Sequence, residues 1–370
     1  MTELDADIGV PTGTAGLALI WAELAAARAT DLTGSEHVVD RDRLLGHLLL
    51  PLLAGDHLAG SPPRPAPAGG FVHADVIDDD EPLYAALVED HAGADSEALA
   101  ALAQECRLPV VPYRAWRAPD VAGISPPAAS APAASAPAAS ASERRVRPGE
   151  VTVVDLTAMW AGPLCAMLLA GWGADVITVE SRARPDGLRG RPAQFAALDH
   201  GKRRLDLDLR CVEDRTAFER IIAGADVVLE SFSPRVMANF GYSPAELRRH
   251  NPRVATVSLR AFPSTSPMHD WLGYGRGAHA ASGLGLLDGR PQRARFAYPD
   301  PIAGLVAFAT VLDVLGRTHP PRSAEVSLAG VIEPLVALGE RPLGSGQPQV
   351  LDRLRAAFGT DPGPPIARTA

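Results

Sequence analysis

Two stretches of the chain repeat one local plan, and that plan restricts the possible folds more than any other feature. In the first, the β-rich run Val151–Leu156 is followed by the apolar stretch Ala161–Trp172, then Gly173-Ala174-Asp175 and a second run at Val176–Val179. In the other, a helical pattern over Glu213–Ala223 leads through Gly224-Ala225-Asp226 to Val227–Glu230. Pro163 suits a first helical turn, and Gly173 and Gly224 stand where a left-handed residue would stop each helix. Runs at Leu205–Leu209 and Arg253–Leu259, and a long apolar helix over Pro301–Leu315, continue the alternation. Strands separated by helices imply parallel βαβ units, because parallel neighbours need a crossover. The expected fold over residues 149–335 is α/β, with a doubly wound, mostly parallel sheet.

Ahead of that region lies Pro126–Ser142, PPAASAPAASAPAASAS, which holds nothing that could form a core. It predicts an extended, disordered tether over residues 119–148. Residues 1–118 are expected to form a small α+β or helical lobe. Helical patterns fall at Leu17–Ala29, Arg43–Leu58, Glu81–Glu89 and Ser96–Glu105, and strands at Gly70–Val76 and Leu108–Tyr113. The Gly- and Pro-rich stretch 336–370 reads as a disordered tail.

Charge divides along the same boundary. The chain of 370 residues carries a formal charge of -9, but residues 1–118 hold 7 Arg against 19 acids (-12), leaving +3 for the rest. This excludes general nucleic-acid binding, which needs a basic footprint. One residue, Lys202, is the only lysine, which with the high alanine content points to GC-rich coding. No run approaches a membrane span of about 18–20 apolar residues, and MTELDADIGV lacks the layout of a secretion signal. Cys106, Cys165 and Cys211 are too dispersed for a disulfide framework or a zinc site. A cytoplasmic protein without a metal is expected.

Several residues could carry chemistry. Asp300, in Tyr298-Pro299-Asp300-Pro301, precedes a helix. Capping accounts for an Asp-Pro pair there, yet a carboxylate held ionised at a helix N-terminus can also serve as a nucleophile. The loop entering Ala161-Gly162-Pro163 lies where parallel sheets bind ligands, although neither GxxxxGK[ST] nor GxGxxG is present. Gly273-Tyr274-Gly275-Arg276-Gly277 reads as a flexible loop or a weak nucleotide signal. His200-Gly201-Lys202-Arg203-Arg204 reads as a solvated basic turn or an anion contact. His279 and Cys165 fit an apolar core.

In order, VTVVDLTAMWAGPLCAMLLAGWGADVITVE (151–180), HGKRRLDLDL (200–209), ADVVLESFSPRVMANFG (225–241), NPRVATVSL (251–259), YPDPIAG (298–304) and AEVSL (324–328) resemble family III CoA-transferases, the CaiB/BaiF family. The resemblance implies acyl-CoA and carboxylic acid substrates, with coenzyme A entering as the acyl-CoA. It implies Asp300, with Gly304 four residues on, as the nucleophile that forms an acyl–aspartyl anhydride. It places the CoA surface near Arg210, Ser231, Phe232, Asn239 and the Tyr274-Gly275 pair, and implies an interlocked homodimer.

The chain also departs from the family. Ser231-Phe232-Ser233-Pro234 replaces the common Asn-Phe-Arg-Pro, and Asn239 stands where a cation is often found. Such losses weaken charge-assisted contacts to a polyphosphate. The family's small domain follows its large one, whereas here GGFVHADVIDDDEPLYAALV (69–88) and ECRLPVVPYRAW (105–116) resemble it upstream, as a rearranged chain or a remnant of a duplicated copy would. Two alternatives stay open. A 2-methylacyl-CoA racemase would need paired acid/base groups, but Tyr274-Gly275 replaces the His-Asp typical of racemases. A non-catalytic CoA-binding partner subunit would tolerate the departures.

Overall fold

The computed structural model describes residues 14–40, 43–44, 62–75, 80–114, 145–287, 289–294, 297–317, 323–337 and 366–368. Residues 119–144 of the expected tether and most of the expected helix at Arg43–Leu58 lie outside the described residues. Residues 145–148, by contrast, are packed: Val146 is buried and donates its N–H to the Leu32 carbonyl at 2.9 Å.

The large sheet contains β5 (Thr152–Leu156), β6 (Asp175–Glu180), β7 (Arg203–Asp206), β8 (Val227–Glu230), β9 (Ala255–Arg260) and β12 (Ser323–Ser327). Its spatial order is β12-β9-β8-β5-β6-β7 and every pairing is parallel. From β5 the chain winds first through β6 and β7, then reverses to β8, β9 and β12, so the fold is α/β and doubly wound. Successive residues of a strand face opposite sides of the sheet. Val153 therefore packs in one apolar layer and Val154 in the other.

On the Val153 side lie α4 (Ala161–Trp172) and α10 (Pro299–Gly316), with α1 (Thr14–Thr33) packed outside them. Ala18, Ala22, Ala25, Ala26, Ala29 and Leu32 of α1 enter the same core as α4 and α10. A Cβ on Gly316 would meet Arg28 at 2.3 Å and Leu32 at 2.5 Å, which shows how closely α1 and α10 approach. The first helix thus packs with the large sheet rather than with the rest of residues 1–118. By length and composition α10 could cross a membrane, contrary to the reading of the sequence, but its side chains are buried in this core.

On the other side, α6 (Val212–Gly224) and α8 (Pro244–His250) bury Phe218, Ile222 and Leu247 against Val154, Ile177 and Val228. Between them runs the short α7 (Val236–Asn239). The two Gly-Ala-Asp turns prove unlike. Gly173 is left-handed (φ 109°), as expected, whereas α6 runs through Gly224 and ends at an extended Ala225. The Asn251 side chain donates to the Ile222 and Ala225 carbonyls at 3.0 and 2.7 Å, so no left-handed glycine is needed there.

A separate antiparallel sheet of β2 (Arg64–Pro65), β3 (Phe71–Ala74) and β4 (Val110–Pro112) is covered by α2 (Glu81–Asp90) and α3 (Ser96–Glu105). It meets the large unit at α9 (Gly275–Ala281). The hairpin β10 (Leu286–Leu287) and β11 (Arg290–Pro291) follows α9, and α11 (Leu328–Ala337) follows β12. Within the expected tail, β13 (Ile366–Arg368) pairs antiparallel with β1 (His37–Val39), so that part of the tail is ordered as a strand.

Candidate active site

Asp300 lies in the first turn of α10, with Tyr298 rather than Asp300 at the cap position. Pro299 and Pro301 flank it, and a first turn has no intrahelical use for the N–H groups they lack. Asp300 is buried at 6% exposure, and its own N–H donates to the Ala297 carbonyl at 3.1 Å. With proline on either side, few N–H groups of this helix start are left to hold the charge. One turn on, a Cβ at Gly304 would lie 2.8 Å from the Ala161 carbonyl oxygen and 2.9 Å from Leu164. Gly304 thereby lets α10 close on the start of α4, and Asp300 is carried to the carboxyl end of β5.

Gly275 lies against the carboxylate. A Cβ there would fall 1.8 Å from Asp300 Oδ2. Neighbouring glycines have similar reasons: Gly273 abuts Ala261 and Phe262, and Gly277 abuts Val111 and His73. The glycine-rich run is a close-packing device at the start of α9. Tyr274, at the α9 cap, is half exposed beside it. Asp300, Gly275 and Tyr274 are therefore brought together, and through Gly277 the small sheet reaches the same helix.

The other predicted positions spread along the sheet edge. The strand order reverses between β5 and β8, the place where open α/β sheets accept ligands. There Ser231 Oγ accepts from the Ala158 N–H at 3.2 Å, joining the two loops. Phe232 is partly buried and donates its N–H to Glu230 at 3.0 Å. Asn239 is exposed at the end of α7. Arg210 follows the edge strand β7 and is held by Asp208 at 2.6–3.1 Å; none of its described bonds reaches the Ser231 loop.

Three arrangements escaped the sequence reading. Lys202 is no solvated cation: its side chain is 2% exposed and pairs with the fully buried Asp155 at 3.3 Å. Asp155 also accepts from Thr157 and Thr178, while Arg203 pairs with Asp175, and Arg204 with Asp199 and Glu180. A pocket of ≈ 120 Å³ beside β8 and β9 is lined by Ser233, Arg235, Tyr242, Ser243 and Arg260, among others, but not by Asp300. Arg260 there is paired with buried Glu230 at 2.7 Å. Both arise from residues at strand ends that only the register makes neighbours. The third is His279, whose two ring nitrogens lie 2.9 Å from Tyr298 Oη and 2.8 Å from the Gln292 carbonyl oxygen.

Known proteins supply the context. A succinyl-CoA–D-citramalate CoA-transferase of Chloroflexus aurantiacus is 31% identical over 212 residues, 54% of this chain and 53% of that protein. A succinyl-CoA:mesaconate CoA-transferase of Haloarcula hispanica is 40% identical over 136 residues, 32% of this chain and 34% of that protein. The chain thus spans about half the length, or less, of these curated relatives. Among solved structures, a CaiB/BaiF family protein from Brucella suis is 26% identical with a TM-score of 0.47, covering 59% of this chain and 60% of its own. Residues 149–337, the doubly wound sheet with its helices and Asp300, match CoA-transferase family III, and the chain belongs to that family.

Proposed function

We propose that the protein is an acyl-CoA:carboxylate CoA-transferase in which Asp300 is the nucleophile. The observation that carries this reading is the buried carboxylate at a helix start, lying on Gly275 at the carboxyl edge of the sheet. The Asp300 carboxylate adds to the thioester carbonyl, the C–S bond breaks, and CoA leaves as thiolate, giving an acyl–aspartyl mixed anhydride. The thiolate then attacks the aspartyl carbonyl, releasing the donor acid and leaving an aspartyl–CoA thioester. The acceptor carboxylate attacks that thioester to form a second anhydride and CoA thiolate. Attack of the thiolate on the acceptor's acyl carbon yields the new acyl-CoA and restores Asp300. No net proton is needed, and a difficult transfer is divided into easier steps.

In this reading Ser231, Phe232, Asn239 and Tyr274 face CoA, while Arg210 contributes charge from the loop after β7. The antiparallel sheet of residues 64–112 takes the place of the family's small domain, supported by its packing on α9, and the protein works as a homodimer. The curated relatives named above point to succinyl-CoA as the first donor to try. His279, which a proton-exchange reading would enlist, has both nitrogens engaged in the core, and this favours transfer over racemisation. The test is to incubate the chain with a panel of acyl-CoAs in D2O, add hydroxylamine and map the modified residues by mass spectrometry. A hydroxamate at Asp300 that disappears in Asp300→Ala is the expected result. Deuterium at the α-carbon without hydroxamate, or CoA binding with neither signal, would refute the reading.

A further inference from the structure

We propose that His279 and Tyr298 form a positioning pair that fixes the Asp300 carboxylate by holding the first turn of α10. The inference rests on the reading of Asp300 as the nucleophile. A carbonyl oxygen can only accept, so the His279 Nε2 that lies 2.8 Å from the Gln292 oxygen carries the hydrogen. In a neutral ring Nδ1 is then the acceptor, and it takes the Tyr298 O–H at 2.9 Å. Both side chains are buried, and the rings meet edge to face with centroids 5.7 Å apart. Burial lowers the imidazole to about 4 and raises the phenol well above its ordinary value, so each keeps its hydrogen-bonding role across the working pH range.

The coupling to Asp300 is mechanical. Tyr298 caps the helix, Asp300 lies two residues beyond it, and the prolines at 299 and 301 have fixed φ. Few soft torsions remain to absorb a movement of Tyr298 before it reaches the carboxylate. His279 and Gly275 are four residues apart on α9 and so share one face of that helix. A single helix thus touches the carboxylate through Gly275 and anchors the base of its turn through His279.

The test compares Tyr298→Phe, His279→Ala and His279→Gln with the parent chain. Glutamine keeps one N–H for Gln292 and one oxygen for the Tyr298 hydroxyl. Single-turnover adduct formation at Asp300 from succinyl-CoA, CoA affinity and urea midpoints are measured for each. Because a shift of about 1 Å near the reacting atoms can cost on the order of 100-fold, Tyr298→Phe and His279→Ala should each slow adduct formation at least tenfold. CoA affinity should stay within about twofold, His279→Gln should recover most of the rate, and the double variant should be no slower than the worse single one, as coupled residues behave. Parental rates in folded Tyr298→Phe and His279→Ala, or failure of glutamine to rescue, would overturn the positioning pair alone. Absence of any Asp300 adduct in the parent would overturn the nucleophile and the pair together.

Discussion

Replacing Gly275 by alanine should separate catalysis from stability. The added Cβ would lie 1.8 Å from Asp300 Oδ2, whereas real Cβ contacts essentially never fall below 3.0 Å, so the carboxylate must retreat by about 1.2 Å. A displacement of that size at a reacting atom corresponds to a loss of roughly 100-fold. The cost in stability is smaller. Overpacking costs about 1–3 kcal/mol, and because Gly275 opens α9 the helix-interior gain of alanine over glycine is not recovered there. Asp300 Oδ2 belongs to a side chain that can rotate, which moderates the clash further. Hydroxylamine trapping under single turnover with succinyl-CoA, beside urea titration, would read both quantities. Gly275→Ala acylated at Asp300 within threefold of the parental rate would refute the placement of the proposed nucleophile against this glycine.

Gly304→Ala should behave in the opposite way, lowering the urea midpoint first, because its Cβ would meet the Ala161 carbonyl oxygen at 2.8 Å and force α10 away from α4. A loss of about 1–3 kcal/mol is expected, and an unchanged midpoint would contradict the close helix approach. Lys202→Met strips the partner from a fully buried carboxylate. It should cost about 3–5 kcal/mol, with Lys202→Met/Asp155→Asn recovering much of it; a single variant as stable as the parent would show the pair to be unimportant. For pH, His279 sits near 4 in the fold against an ordinary 6.5, lowered by burial and then by nearby His73, and opposed by the Gln292 carbonyl. The unfolded chain then binds more protons between those values, so stability is full above pH 6.5 and falls by about 3 kcal/mol as pH drops to 4. Urea midpoints from pH 4 to 8 would check this, and a profile as steep in His279→Gln as in the parent would assign the loss elsewhere.

Local signals in the chain were legible where a residue's own backbone decides the outcome. The helix at Ala161–Trp172 and its left-handed stop at Gly173 follow from apolar content and the absence of a Cβ. Gly224 in the same kind of turn misleads, because Asn251, far along the sequence, satisfies the end of that helix instead. The α1 helix could be foreseen, but not its destination. Its alanines permit close packing against any smooth partner, and only the fold selects α10. Asp300 could be singled out from its prolines and from the family resemblance. Its contact with Gly275 and the anchoring of Tyr298 by His279 depend on segments about twenty residues apart being folded side by side. The buried Lys202–Asp155 pair was misread for the same reason: a basic cluster has no sequence mark that separates a solvated face from a satisfied interior.

That pair has a chemical consequence beyond stability. Thioesters acylate free amines without assistance, and a protein that handles acyl-CoA is exposed to that side reaction at every accessible lysine. Here all but one of the 35 lysine and arginine side chains are guanidinium groups, which stay protonated and are poor nucleophiles. The single exception has its amine bonded to Asp155 inside the core. The folded surface therefore offers an acyl thioester no side-chain amine to consume, and Lys202 becomes reactive only when the chain opens around it.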